Sequence, residues 1–345
     1  MRRLALLAVL SGCPPKGAST PQQQIPEGGP CAAAAGVFAA SYVTSEGGSN
    51  GHVGWVLPLH AMAVEPTAQV AEWAPLDATT AGVSGVPPPP QGPLWLVTAN
   101  APPCPAKAGG YYAAKLPGPP ANVSYGVELT GCPPPSDPQE SSGLVLATTD
   151  APTGCAFEQP RPVSARLGDV DAQKQWHRPT KETPIPPALA GLVPVHDCKP
   201  PTCETLWAFG EVDSGDRPVA WSGAVNWVQV VDPAQPCSWQ VERWSGVFVP
   251  DATGHAVKLD TGEHTLALSA ALIDRGGPKA LLAEGPGAYA TFDLAAGPAK
   301  LAHAVTWMLA PNEAWEAVDR LAPPCEHAPA APAPLPKDAK PVSPY

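Results

Sequence analysis

Charge is scarce in this chain, and no apolar run is long. Charged residues make up 15% of the 345, and no basic cluster breaks the acidic balance, so nucleic-acid binding driven by phosphate contacts is not expected. A transmembrane helix needs about 20 consecutive apolar residues. The best later runs, Leu266–Ile273 and Leu301–Leu309, are short and interrupted by Ser269, His303 and Thr306. Local catalytic signatures are missing as well. There is no Gly-x-Ser-x-Gly elbow, no His-Glu-x-x-His, no Cys-x-x-Cys, no phosphate-cradling glycine loop with a lysine and no dinucleotide fingerprint. No cofactor is expected.

Proline and glycine are abundant, at 49 and 32 residues, which approaches the level at which composition alone suggests disorder. Yet 44% of the residues are hydrophobic and 11 are tryptophan. Enough apolar material is present to pack cores, so the chain reads as β-rich units joined by Pro-rich connectors. Its length allows one large or two ordinary domains.

The N-terminus is organised differently. Arg2 and Arg3 precede an apolar stretch from Leu4 to Leu10, and Ser11-Gly12-Cys13 closes it. A positive start, a short apolar middle and a small-residue end fit a removable export signal. The stretch resembles the signal peptide of bacterial lipoprotein precursors, whose lipobox ends in Gly/Ala-Cys. The resemblance covers only residues 1–13. It implies a signal peptide over 1–12, cleavage before Cys13 and lipid on Cys13, with each buried methylene contributing about 0.8 kcal/mol to anchoring. It also implies a place in the bacterial cell envelope. Pro14 stands where aspartate marks inner-membrane retention in the best-known lipoproteins, which favours the outer membrane. Formal net charge is −11 and becomes more negative once the two arginines are removed. The lipid, and not the acidic body, is therefore expected to hold the protein at a membrane.

With Cys13 assigned to lipid, Cys31, Cys104, Cys132, Cys155, Cys198, Cys203, Cys237 and Cys325 remain. An even set in an exported chain reads as a disulfide framework, with a pairing that sequence alone leaves open. Four cysteines lie on each side of the cysteine-free stretch 160–194. Two domains with two bridges each is the simplest account.

Residues 13–30 have little to bury and read as a flexible tether. The first domain is expected over 31–160. Residues 36–44 and 52–57 form a hairpin there, 67–73 a short helix, 94–98 a buried strand, and 123–129 a strand with Val123, Tyr125, Val127 and Leu129 on one face. Residues 161–194 show no sustained periodicity and are expected as a Pro-rich linker. The second domain, 195–325, contains strand-like runs with Val219, Trp221, Val225 and Trp227 on one face. Changes of parity after Trp227 and at Arg243 suggest bulges. Residues 257–259 and 265–272 read as a hairpin turning through Asp260-Thr-Gly262. Asn312 can cap a helix ending at Leu321, and 326–345 is expected as a disordered tail. The fold class expected is mainly β, with two small disulfide-stapled sandwich or barrel-like domains and few short helices.

Candidate chemistry is sparse. Asp213-Ser-Gly215 and Asp260-Thr-Gly262 resemble the Asp-Ser/Thr-Gly turns of pepsin-like and retropepsin-like aspartic peptidases, in which two carboxylates share a proton. Both also suit hairpin turns, where Asp and Gly are favoured for backbone reasons, and that reading is preferred. His196, Asp197, Cys198 and Cys203 form the best metal-ligand cluster, with His52 and His60 more remote. Export favours a disulfide there, and no metal is expected. Trp207, Trp221, Trp227, Trp239 and Trp244 lie close in sequence. Most suit core packing, while Trp244 is the candidate for an exposed ring contacting a ligand. The class expected is a non-enzymatic binding or interaction protein, for an envelope protein, peptide or glycan. The alternative is an extracytoplasmic hydrolase without a local motif. Solvent-facing carboxylates and histidines grouped in one deep pocket would favour the enzyme, and a shallow aromatic strip with no perturbed ionisable group would favour binding.

Overall fold

The computed structural model describes residues 31, 34–43, 54–63, 74–76, 86–116, 122–136, 142–166, 169–170, 176–177, 182–199, 203–215, 217–230, 239–261, 266–285, 288–295 and 297–306. The expected signal peptide, tether, 67–73 helix, C-terminal helix and tail lie outside the described residues.

Seven strands open the fold: β1 (Gly36–Val43), β2 (Gly54–Ala63), β3 (Ala74–Leu76), β4 (Leu94–Val97), β5 (Cys104–Leu116), β6 (Asn122–Thr130) and β7 (Ser142–Ala147). Then come β8 (Ala156–Glu158), β9 (Arg161–Arg166), the small ribbon β10 (Asp169–Val170) with β11 (Trp176–His177), and the single-turn helix α1 (Pro187–Ala190). The remainder is β12 (Cys203–Ser214), β13 (Arg217–Val230), β14 (Trp239–Pro250), β15 (Ala256–Lys258), β16 (Ala267–Asp274), β17 (Gly277–Gly285), β18 (Ala288–Asp293) and β19 (Lys300–Thr306). The protein is mainly β, as expected from its sequence.

The first unit is a barrel. Its strands run in the order β5-β4-β7-β1-β2-β6, the β5–β6 pairing closes the ring, and β3 adds to β5. Closure removes the exposed edges that an open sheet would present. Alternation sends Val123, Tyr125, Val127 and Leu129 of β6 inward, where they meet Trp55, Leu57, Leu94 and Leu96. Burying each such side chain contributes about 1.5–3 kcal/mol. Trp55 also donates its indole N–H to the Pro133 carbonyl at 2.8 Å. Pro58 has no N–H for the ladder, and the β2–β6 register shifts between Pro58 and His60.

The second unit is a sandwich. One sheet has the order β19-β18-β17-β16-β8 and the other β15-β14-β13-β12-β9. Val212, Val247, Leu268, Ile273, Leu281 and Phe292 fill the space between them. The opposite face of the first sheet packs on the barrel wall, where Leu272 and Leu282 meet Val37, Ala39, Leu144 and Leu146. Both faces of that sheet are therefore buried, which explains the continuous apolar residues 270–273 of β16 and 280–283 of β17.

Several local expectations differ from the structure. Residues 161–166, placed in the linker, form β9 and pair with β12, while β8 just before them pairs with β16. The chain thus enters both sheets of the sandwich before it reaches α1. The hairpin expected over 257–272 is instead a crossover, because β15 pairs with β14 and β16 lies in the other sheet. Leu259 and Leu266 are both buried in the sandwich core at this corner. No bulge occurs at Trp227 or Arg243, since β13 pairs in unbroken register with β14 from Trp221 to Val230. Trp227 and Val228 point to opposite faces and both are buried, so the change of apolar parity needs no slip. The register shift lies between Val212 and Asp213. It turns Val219 into the sandwich core, away from the face that carries Trp221 and Trp227.

Candidate functional site

Cys31 pairs with Cys155, Cys104 with Cys132 and Cys198 with Cys203, at Cα–Cα distances of 5.0, 5.7 and 5.0 Å. All three pairs respect the division of the cysteines around 160–194. Cys13, Cys237 and Cys325 lie outside the described residues. Cys31 lies ahead of β1 and Cys155 just ahead of β8, so their bridge fastens the barrel's entry to the first sandwich strand. The Cys31 N–H also donates to Asp274 at 3.3 Å, at the far end of β16.

Trp207, Trp221, Trp227 and Trp244 lie on the outer face of the β12–β15 sheet, under a strap formed by residues 182–199; the Trp239 side chain lies outside the described residues. The strap begins on β9, where the Thr183 N–H donates to the Ala165 carbonyl at 2.9 Å. It then inserts Leu189 of α1 and ends at the Cys198–Cys203 bridge. Trp207 donates its indole N–H to the Thr183 carbonyl at 2.9 Å and lies beneath Arg166, 5.5 Å from its centroid. Gly223 leaves the space that the Phe209 ring occupies, and a Cβ at that position would lie 2.0 Å from the ring. Trp221 and Trp227 are buried, as their shared face predicted. Trp244 is half-buried against Phe248 at 5.4 Å, with Lys258 Nζ 5.5 Å from its ring centroid.

The proposed metal ligands are engaged elsewhere. Cys198 and Cys203 pair with each other, and His196 stacks on Trp227 at 4.7 Å with its Nε2 3.0 Å from the Glu242 carboxylate. Among the described residues, no three His, Cys, Asp or Glu side chains are grouped to hold a metal. Asp213 occupies the β12–β13 turn, where Gly215 takes φ +65° and Arg161 Nε donates to the Asp213 carboxylate at 2.8 Å. Asp260 follows β15 on the crossover to β16. Gly262 and His52 lie outside the described residues, and His60 lies at the bulge of β2.

A concave site that no local motif marked lies where the barrel meets the sandwich. It measures about 350 Å³ and is lined by Val97, Thr98, Pro102, Pro103, Thr153 and Phe157, together with Cys155 of the interunit bridge. Asn100, at φ 58°, turns the chain from β4 into β5 along its edge. The volume is within the range of small-ligand sites. Its lining brings apolar faces, two threonines and an asparagine, and no group that titrates near neutral pH. It can hold a neutral, mostly apolar group, but it offers no acid, base or nucleophile. Sequence reasoning missed it because its residues come from β4, the β4–β5 connection, the approach to β8 and β8 itself, each unremarkable alone.

The chain matches no family model, no curated protein and no solved structure.

Proposed function

We infer that this protein is a lipid-anchored binding protein of the bacterial cell envelope, held by Cys13 and presenting the barrel–sandwich cleft to a neutral ligand group. The observation that carries the reading is the lining of that cleft, which is concave and apolar and lacks an ionisable side chain. Three cysteine pairs at disulfide distance support an oxidising compartment, and the lipobox-like N-terminus supplies the address. The peptide, glycan or envelope-protein partners expected from the sequence fit a site that binds without chemistry.

The first experiment is the intact mass of protein extracted from native membranes, with and without reductant and a thiol-alkylating reagent. An acylated mature chain starting at Cys13, with its other cysteines labelled only after reduction, is the expected result. An unmodified Cys13 would sink the anchor, and labelling without reductant would sink the compartment. Phe157→Ala then tests the cleft, because it should abolish stabilisation by captured ligand while leaving the mass pattern unchanged.

A further inference from the structure

The joint between barrel and sandwich has two different ends. At one end it is covalent, through Cys31–Cys155, and Asp274 reinforces it by accepting from the Cys31 N–H and pairing with Lys279 at 3.4 Å. At the other end it is polar. Ser41 of β1 and Ser142 of β7 are register partners on the barrel wall, and Glu284 of β17 and Tyr289 of β18 are register partners on the facing sheet. Between these ends the joint is apolar, with Leu272 and Leu282 against Ala39 and Leu144.

Hydrogen bonds cross this polar end. Ser142 from the barrel and Ser269 from the β16 bulge donate to the Glu284 carboxyl, and Ser41 donates to Tyr289 Oη. Glu284 Oε1 is shut off from solvent and has no hydrogen-bond partner among the described residues. A buried oxygen left this way is costly when the carboxyl is ionised and much less so when it is neutral. The titratable groups around it provide no compensating positive charge. Burial, with Glu284 adding to it, keeps the Tyr289 phenol protonated. Burial also keeps His303 of β19 neutral, against Phe38 of β1. Tyr112 of the barrel, which packs with Tyr289 around Val56, is likewise held protonated.

We propose that this end is a proton-operated latch, in which neutral Glu284 keeps the barrel wall closed on the sandwich and ionised Glu284 lets that rim open about the Cys31–Cys155 hinge. The only chemical step is exchange of one proton between the Glu284 carboxyl and solvent. Opening would not separate the two units, because the disulfide end stays joined.

Hydroxyl-radical footprinting of the mature full-length protein tests the latch through Tyr289, whose ring lies inside the closed rim. Modification of Tyr289 should rise roughly threefold or more between the acid and the alkaline end of a pH series that starts in the ordinary carboxylate range. Glu284→Gln, a permanently neutral isostere, should hold Tyr289 at the low value throughout. Ser142→Ala removes a donor to the carboxylate and should move the rise to higher pH, a midpoint shift that a purely structural role would not produce. His303→Asn should leave the midpoint in place. Equal modification of the wild type at both ends of the series would overturn the proposal. So would an unmoved midpoint in Ser142→Ala, or an unchanged rise in Glu284→Gln.

Discussion

The barrel and the sandwich close by different means. The barrel closes on itself through the β5–β6 ladder, so a strand away from the sandwich has one face inward and a sequence that alternates, as β6 shows, whereas β7 on the shared wall is buried on both faces. The sandwich closes by stacking, and its first sheet is covered by the barrel on one face and by the second sheet on the other. Strands there lose their alternation and gain continuous apolar runs. A strand with one buried face declares its orientation in sequence, whereas a strand buried on both faces declares only that it is buried.

The largest effect expected follows from the bridge that joins the two units. Cys31–Cys155 closes a sequence separation of 124 residues, against 28 for Cys104–Cys132 and 5 for Cys198–Cys203. On the chain-entropy account, paired Cys→Ser replacements should cost about 5, about 3.5 and about 2 kcal/mol respectively. Urea denaturation of the three double variants checks the order. If losing Cys104–Cys132 costs more than losing Cys31–Cys155, the barrel's own closure dominates and the comparison must be recast.

Next in size is a change confined to the sandwich. Gly223→Ala would place a methyl where the Phe209 ring lies, and overpacking of this kind costs about 1–3 kcal/mol. Loss of unfolding free energy without a change in denaturant slope is the expected signature. A neutral result would mean that Phe209 has room to rotate under the strap.

These residues also show what the sequence could reveal. The barrel strand 122–130 is legible because one face repeats with period 2, and 94–97 because a short continuous apolar run reads as a buried strand. Gly223 and Phe209 were not, since their contact spans two strands and neither residue is unusual alone. The 257–272 hairpin misled because a turn-like Asp-Thr-Gly looks the same whether the chain reverses within one sheet or crosses to another. Bulges were misplaced at Trp227 and Arg243 because parity carries information only where one face is wet. An even set of cysteines pointed to a disulfide framework, and the six that lie among the described residues pair without crossing 160–194, while the choice of partners depends on tertiary contacts. The cleft and the Glu284 latch lie between units, where no local motif can announce them.

A smaller effect concerns pH and separates the barrel-facing side of the sandwich from the rest. His303 titrates below the ordinary histidine range because burial opposes its charge, and Phe38 packs edge-on against it at 5.3 Å. The unfolded chain therefore binds this proton more readily, and stability should fall as pH drops through the ordinary histidine value towards the folded one. Glu284 acts in the opposite sense, because burial raises its folded value, and stability should grow as pH falls through it. Thermal melts across this range should show a weaker acid loss in His303→Asn and a stronger one in Glu284→Gln. If both variants follow the wild type, neither group couples the two units.

The smallest effect is at Trp244, on the sandwich face farthest from the barrel. Lys258 Nζ lies 5.5 Å from the Trp244 ring centroid, and Phe248 supports the ring at 5.4 Å. An exposed cation–π contact contributes about 0.5–1 kcal/mol, so Lys258→Met should lower stability by no more than this while keeping the aliphatic cover over the ring. The same variant addresses the part Trp244 plays in recognition. If the ring contacts a ligand, removing the ammonium should change the quenching of tryptophan fluorescence by that ligand; if the ring serves only to pack the sheet, quenching should stay at its wild-type level while the small stability loss remains. The second outcome would leave the cleft between barrel and sandwich as the place where recognition occurs, and would make the tryptophan face a device for holding the strap.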